Sequence, residues 1–205
     1  MMSTNSAKPR GRPRRFDPQD AVSVAQDLFH ARGYDAVNVT DVTEALGINP
    51  PSFYAVFGSK AGLYARVVDR WSETGAIPFA KILRDDRPVA EALAELLEEA
   101  ARRYSKNRSA TGCLVLEGTR SNDPEARELA CMANRSAEMM IRDYVAARYN
   151  DDADQITDFM STTMSGLSAK ARHGHSLDRL LASARLAGTA IASALPPRGS
   201  LKPHS

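Results

Sequence analysis

Apolar residues recur at helical spacing along almost the whole chain, and no stretch alternates apolar and polar positions for long enough to predict a strand. Ala21, Val24, Ala25, Leu28 and Phe29 follow the i, i+3, i+4, i+7, i+8 pattern of one amphipathic helix face. Asp17 is placed to cap that helix, Pro18 suits its first turn, and Gly33 ends it. A short second helix is predicted after an Asn38 cap, with Val39, Val42, Ala45 and Leu46 inward and Gly47 supplying the left-handed stop. Only Ile48 and Asn49 separate it from the next start, where Asn49 caps, Pro50 takes the first helical position and Ile48 packs on Phe53 as a hydrophobic staple. Phe53, Val56 and Phe57 anchor this third helix and Gly58 closes it. Ser59 then caps a fourth, whose stripe is Leu63, Val67, Arg70 and Trp71.

Pro78 and Pro88 punctuate the chain before several longer amphipathic segments. One runs from about Val89 to Tyr104 with Leu93, Leu96, Leu97 and Ala100 on its apolar face, another is centred on Leu114 to Leu116, and a third runs from about Glu125 to Tyr149. Two more close the fold. Their stripes are Ile156, Phe159, Met160, Thr163, Met164 and Leu167, and then Leu177, Leu180, Leu181, Ala184, Gly188, Ile191 and Leu195. The prediction is an all-α protein: a three-helix unit at the N-terminus followed by a larger helical body.

Composition is that of a globular chain, with 43% hydrophobic and 25% charged residues among 205. The formal net charge of +2 says little about partners until its distribution is considered: Lys8, Arg10, Arg12, Arg14 and Arg15 all precede the first acidic residue, Asp17. The expected organisation is a flexible basic arm over residues 1–15, a three-helix domain over 16–62, a helical regulatory and dimerisation domain over 63–195, and a flexible tail over 196–205. No apolar run approaches a membrane span and the N-terminus lacks the apolar core of a signal peptide, so a soluble, cytoplasmic protein with no membrane partner is expected. Cys113 and Cys131 lack metal-type spacing and read as small apolar residues.

Two short helices joined by Gly47, Ile48 and Asn49, with a supporting helix before them, have the layout of a helix-turn-helix. If Phe53, Val56 and Phe57 face the core, helical geometry turns Pro51, Ser52, Tyr54 and Ala55 outward, where they can reach double-stranded DNA. Pro51 and Ala55 suit apolar contact with the thymine methyl, while the Ser52 and Tyr54 hydroxyls and the Lys60 ammonium suit phosphate oxygens. No Arg, Asn or Gln is available on this face for bidentate base reading.

The run Gly47-Ile48-Asn49-Pro50-Pro51-Ser52-Phe53-Tyr54-Ala55-Val56-Phe57-Gly58-Ser59-Lys60, followed by Leu63, resembles the DNA-binding signature of the TetR family of bacterial transcriptional regulators. The similarity extends from about Phe16 to Tyr64, with a Gly11-Arg12-Pro13-Arg14 lead-in that many members share. It implies that Tyr54 and Lys60 bind backbone phosphates, that Pro51 and Ser52 approach the groove, that Phe53 and Phe57 are core, and that Thr40 reaches phosphate. Pro50-Pro51 and Val56 depart from the commonest family pattern, where a charged residue with glycine and a polar residue stand. Within the arm, Pro9-Arg10-Gly11-Arg12-Pro13 resembles the core of an AT-hook, whose arginines enter narrow A·T minor grooves. A solvated basic tail adding only nonspecific phosphate attraction is the alternative.

A reader of this size needs two-fold symmetry to contact successive major-groove faces, so a homodimer is expected. Its interface is expected on the last two helices, at Leu167, Leu180, Ala184, Gly188 and Ile191, where small residues allow close approach; simple intramolecular packing is the competing explanation. Trp71, Phe79, Tyr104, Met139, Tyr144, Phe159, Met160 and Met164 are the candidate lining of an adaptable apolar pocket, with Met132 and Met140 of the same character. By resemblance, a small-molecule effector held there releases a repressor from a palindromic operator. The competing readings are an architectural or coregulatory DNA binder without a ligand, and a helical enzyme, for which no catalytic constellation can be assembled. His173 and His175 are an incomplete metal site and read as a helix-terminal cation pair. No metal and no cofactor are expected.

Overall fold

A computed structural model describes residues 17–196. The arm arginines Arg10, Arg12 and Arg14 and all but the first residue of the predicted tail lie outside the described residues. Among the described residues ten α-helices follow one another: α1 Pro18–Arg32, α2 Val39–Leu46, α3 Pro50–Phe57, α4 Lys60–Thr74, α5 Phe79–Ile82, α6 Val89–Lys106, α7 Leu114–Gly118, α8 Pro124–Ala146, α9 Ala153–Arg172 and α10 Leu177–Ala194. A 3₁₀ turn, Asn150–Asp152, leads into α9. The described residues contain no strand, and no helix among them is long and apolar enough to cross a membrane.

The capping chemistry read from the sequence is present. Asp17 accepts from the Gln19 amide, Asn49 from Ser52, and Ser59 from Gly62, while Asn38 and Asp41 form a reciprocal capping box at the start of α2. Each cap satisfies amides that the first helical turn leaves without partners, and each is worth about 1 kcal/mol.

Two hydrophobic cores result. The first joins α1 to α4 through Phe29, Val42, Phe53, Leu63 and Val67, all buried to within 1% of full coverage, and continues into Leu114 of α7 and Ala126 and Ala130 of α8. Phe29, Tyr34 and Tyr64 form an aromatic triad at its centre, with ring centroids 4.9–5.5 Å apart. The division predicted between residues 62 and 63 therefore falls inside a continuous helix: α4 completes the N-terminal core rather than opening the next unit. Within α2 the inward set also differs. Ala45 is exposed, and Thr43 takes the buried place, its hydroxyl donating to the Thr40 carbonyl.

The second core is built around α6, whose Leu93, Leu96, Leu97 and Ala100 are fully buried between α9 and α10. This arrangement corrects the expected dimer contacts. Leu167, Leu180, Ala184, Gly188 and Ile191 are all buried within the chain, and Gly188 sits so close to Ala94 of α6 that an added Cβ would come within 2.9 Å of the alanine methyl. The larger apolar stripe of α10 is claimed by α6, leaving the opposite face, with Ala182, Leu186 and Ala190, exposed. Leu186 is 74% exposed.

Candidate functional site

The helix-turn-helix has two short arms and a sharp corner. Gly47 ends α2 in the left-handed conformation (φ 63°, ψ 34°), which costs glycine nothing, and returns its amide to Glu44 and Thr43 carbonyls. Ile48 and Asn49 complete the turn, Ile48 packing into the N-terminal core. Because Phe53 and Phe57 are buried in that core, the intervening residues are forced outward, and Pro51, Ser52, Tyr54 and Ala55 are all exposed. Tyr54 stands edge-on against Phe53 with centroids 5.3 Å apart, so its ring is braced while its hydroxyl remains free to solvent. Thr40, at the second position of α2, is also exposed. These five side chains form one outward surface of small apolar and hydroxyl groups.

Lys60 is placed differently. Its ammonium donates to the Val37 carbonyl at 2.7 Å and lies 3.9 Å from the Tyr34 ring centroid, so one of its donors ties the start of α4 to the loop between α1 and α2. Partial burial lowers its pKa while Asp35, Asp123 and Asp41 act to raise it. The sequence did not single out two arginines that brace the same unit. Arg66 donates to the Val56 carbonyl and stacks on Phe57, and Arg32 pairs with Asp41 while donating to the Ala36 carbonyl. Arg32–Asp41 and Arg66–Val56 lie nine and ten residues apart across helix ends, which no single-helix pattern reveals.

The N-terminal unit is clamped to the body at two places. In one, the Tyr34 hydroxyl donates to Asp123, the N-cap of α8, at 2.8 Å, and Asp35 accepts from the Ser121 hydroxyl and the Asn122 amide. These donors hold the carboxyls of Asp35 and Asp123 below the usual carboxylate range. In the other, His30 bonds the Gly112 carbonyl and meets the Trp71 ring edge-on with centroids 4.7 Å apart, while Arg172 donates to the His30 carbonyl and pairs with Glu117.

Beside the second clamp lies a cavity of about 710 Å³, within the usual size of a small-molecule site. Its walls come from α4 (Val68, Trp71, Ser72), the segment around α5 (Ile77, Phe79), α6 (Tyr104), the loop and start of α7 (Cys113, Leu116), α8 (Leu129, Met132, Met140) and α9 (Met164). Of the expected lining, Trp71, Phe79, Tyr104 and Met164 are present. Four others are not. Met139 and Phe159 project from the surface, 61% and 40% exposed, because the cavity faces the other side of α8 and α9. Met160 is fully buried in the body core, and Tyr144 is committed to the Arg84 carbonyl and the Arg148 guanidinium. Cys113, read as a buried apolar residue, instead lines the cavity, where burial pushes its thiol up and the Tyr104 hydroxyl is its neighbour. His173 and His175 lie in the loop between α9 and α10.

The profile of bacterial regulatory proteins of the TetR family matches residues 21–67, spanning the helix-turn-helix. The HTH-type transcriptional repressor BdcR of Escherichia coli is 56% identical over 195 residues, covering 95% of this chain and 99% of the relative. The transcriptional repressor ComR of the same organism is 29% identical over 93% of this chain and 96% of its own. Among solved structures, a cysteine mutant of the TetR-family regulator CifR in complex with 26-bp double-strand operator DNA superposes with a TM-score of 0.79. It shares 30% identity and covers 87% of this chain and 99% of its own. A family profile over the reader helices, together with a repressor alike over its full length, assigns the chain: it belongs to the TetR family and is a DNA-binding transcriptional regulator.

Proposed function

We propose that the protein is a homodimeric repressor that leaves a palindromic operator when a small molecule fills the cavity behind α4. The observation that carries this reading is that one helix serves both places. Leu63, Tyr64 and Val67 of α4 are core residues of the reader unit, while Val68, Trp71 and Ser72 of the same helix wall the cavity. A ligand that binds better to one position of α4 shifts the population of reader positions by that difference in affinity and no more. Repression follows from the relatives BdcR and ComR, both transcriptional repressors.

The dimer is assigned to the exposed faces of α9 and α10, with Phe159 and Gly166 on one and Ala182, Leu186 and Ala190 on the other, spaced at one helical turn. In the reader, Pro51 and Ala55 meet base edges, whereas Thr40, Ser52 and Tyr54 meet phosphates. Footprinting on the DNA flanking the protein's own gene tests the reading. A short protected palindrome, lost when a cavity ligand is added, is expected, whereas diffuse protection of A·T-rich DNA without symmetry overturns it.

A further inference from the structure

The cavity wall carries one half-buried charge without an ion-pair partner among the described residues. Four charged side chains line the cavity: Asp69, Lys81, Arg103 and Glu138. Asp69 and Lys81 are exposed, of opposite sign, and belong to the solvent edge. Arg103 is half-buried and its charge is already paired: its Nε donates to Glu99 at 2.7 Å and its Nη1 to the Ala76 carbonyl at 2.9 Å. Glu138 is half-buried with no cation within ion-pair distance among the described residues. Its Oε1 accepts from Asn134 Nδ2 at 2.9 Å and from the Ser161 hydroxyl, two groups that also line the cavity. Both bonds end on the same oxygen, so Oε2 accepts from no group among the described residues. The carboxylate is thus oriented from α8 and α9 with one oxygen left over, in a wall that also carries Trp71, Phe79, Tyr104, Met140 and Met164.

A partly buried carboxylate gains most from a cationic donor, aromatic faces add to the attraction for a positive charge, and flexible thioethers adapt to an apolar body. We infer that the cavity takes a hydrophobic organic cation, an ammonium or amidinium on an aryl or alkyl body, with Glu138 Oε2 as the acceptor of its charged N–H. An anionic ligand would meet the Glu138 carboxylate, and the one half-buried cation of the wall, Arg103, is already paired with Glu99. This inference rests on the cavity being an effector site, but its own test does not depend on DNA.

Trp71 is the only tryptophan of the chain and lines the cavity, so its fluorescence reports occupancy directly. The full-length protein is titrated with 4-phenylbutylamine, 4-phenylbutanol and 4-phenylbutanoate, which share one skeleton and differ in charge. The amine is expected to bind roughly tenfold or more tightly than the alcohol, the scale of one charge-assisted hydrogen bond in a partly dry site, and the carboxylate weakest. In Glu138→Gln the amine should lose that advantage while the alcohol's affinity stays the same. Equal binding of amine and alcohol, a preference for the carboxylate, no response to any of the three, or an amine preference that survives Glu138→Gln overturns the inference. The first three comparisons need no variant, so a poorly folding Glu138→Gln protein does not protect it. Operator release is read separately by anisotropy of labelled DNA. Amine binding without release leaves the cation site standing and overturns the effector reading.

Discussion

His30 and Gly112, 82 residues apart in the chain, are joined by a 3.0 Å contact between the imidazole Nε2 and the backbone carbonyl, which fastens the last turn of α1 to the floor of the cavity. A carbonyl only accepts, so Nε2 carries the proton. Burial lowers the His30 pKa below its ordinary 6.5; the Gly112 bond opposes this, Arg172 lowers it further and Asp27 raises it. Below pH 6.5 the unfolded chain then binds a proton that the folded chain resists, so stability is fully present above that pH and falls as pH drops toward the folded value. Thermal melts between pH 7.5 and 5 should show this fall, at most about 1.4 kcal/mol per pH unit. His30→Gln, which can still donate to Gly112, should flatten it. His175, also lowered, is common to both proteins, and the depressed carboxyls of Asp35 and Asp123 act only below their ordinary 3.8. Identical slopes in both proteins would show that His30 is not the group responsible.

At Gly118, α7 packs between α4 and α8 in the N-terminal core with no room for a methyl group. A Cβ there would lie 2.1 Å from the Tyr64 hydroxyl oxygen and 2.9 Å from the Ala130 methyl. Gly118→Ala is expected to cost about 1–3 kcal/mol by overpacking, measured by urea denaturation. The Tyr64 hydroxyl is buried and has no hydrogen-bond partner among the described residues, so Tyr64→Phe should leave stability unchanged or raise it. It should also recover part of the Gly118→Ala loss, and strict additivity of the two changes would count against this contact.

Lys60→Ala removes a 2.7 Å hydrogen bond to Val37 and a cation held over Tyr34, both inside the protein. A stability loss of about 1–2 kcal/mol is expected. If the ammonium serves only this brace, operator affinity falls without a change in its salt dependence. A drop of about one in the slope of log K against log salt marks it as a phosphate contact instead. Tyr54→Phe, whose hydroxyl is exposed, should weaken binding to every DNA sequence alike and leave the melting temperature unaltered.

Leu186 presents 74% of its surface to solvent on the face of α10 that α6 does not cover. Leu186→Glu is expected to convert a dimer to monomer in light scattering while leaving the circular dichroism of the folded monomer intact. A companion change at Ile191, buried against α6, should instead unfold the protein, with roughly 2–5 kcal/mol lost on Ile191→Ala. A Leu186→Glu protein that stays dimeric places the interface elsewhere.

Local signals in the chain were sufficient for the helix starts capped by Asp17, Asn38, Asn49 and Ser59 and for the helix-turn-helix itself, though the Asp123 cap of α8 went unread. Asn38, Gly47, Asn49 and Ser59 act through atoms within a few residues of themselves, and the 3.6-residue period alone decides that Phe53 turns in while Pro51, Ser52, Tyr54 and Ala55 turn out. What the chain could not announce was which neighbour each apolar stripe would meet. Leu180, Ala184 and Ile191 are as suited to a second copy as to α6, and only packing gave them to α6 and left Leu186 outside. The cavity was partly legible for the same reason: Trp71 and Met164 face it, but Met139 and Phe159, of equal character, sit on the other side of helices whose rotation is set by long-range contacts. Nothing local in sequence distinguishes Glu138 from a surface acid; its place in the cavity wall comes from α8 and α9 meeting around it. Secondary structure here was settled by interactions local in sequence, whereas the cavity, the clamps at His30 and Tyr34 and the free face of α10 depend on pairings between distant segments, which only the folded chain creates.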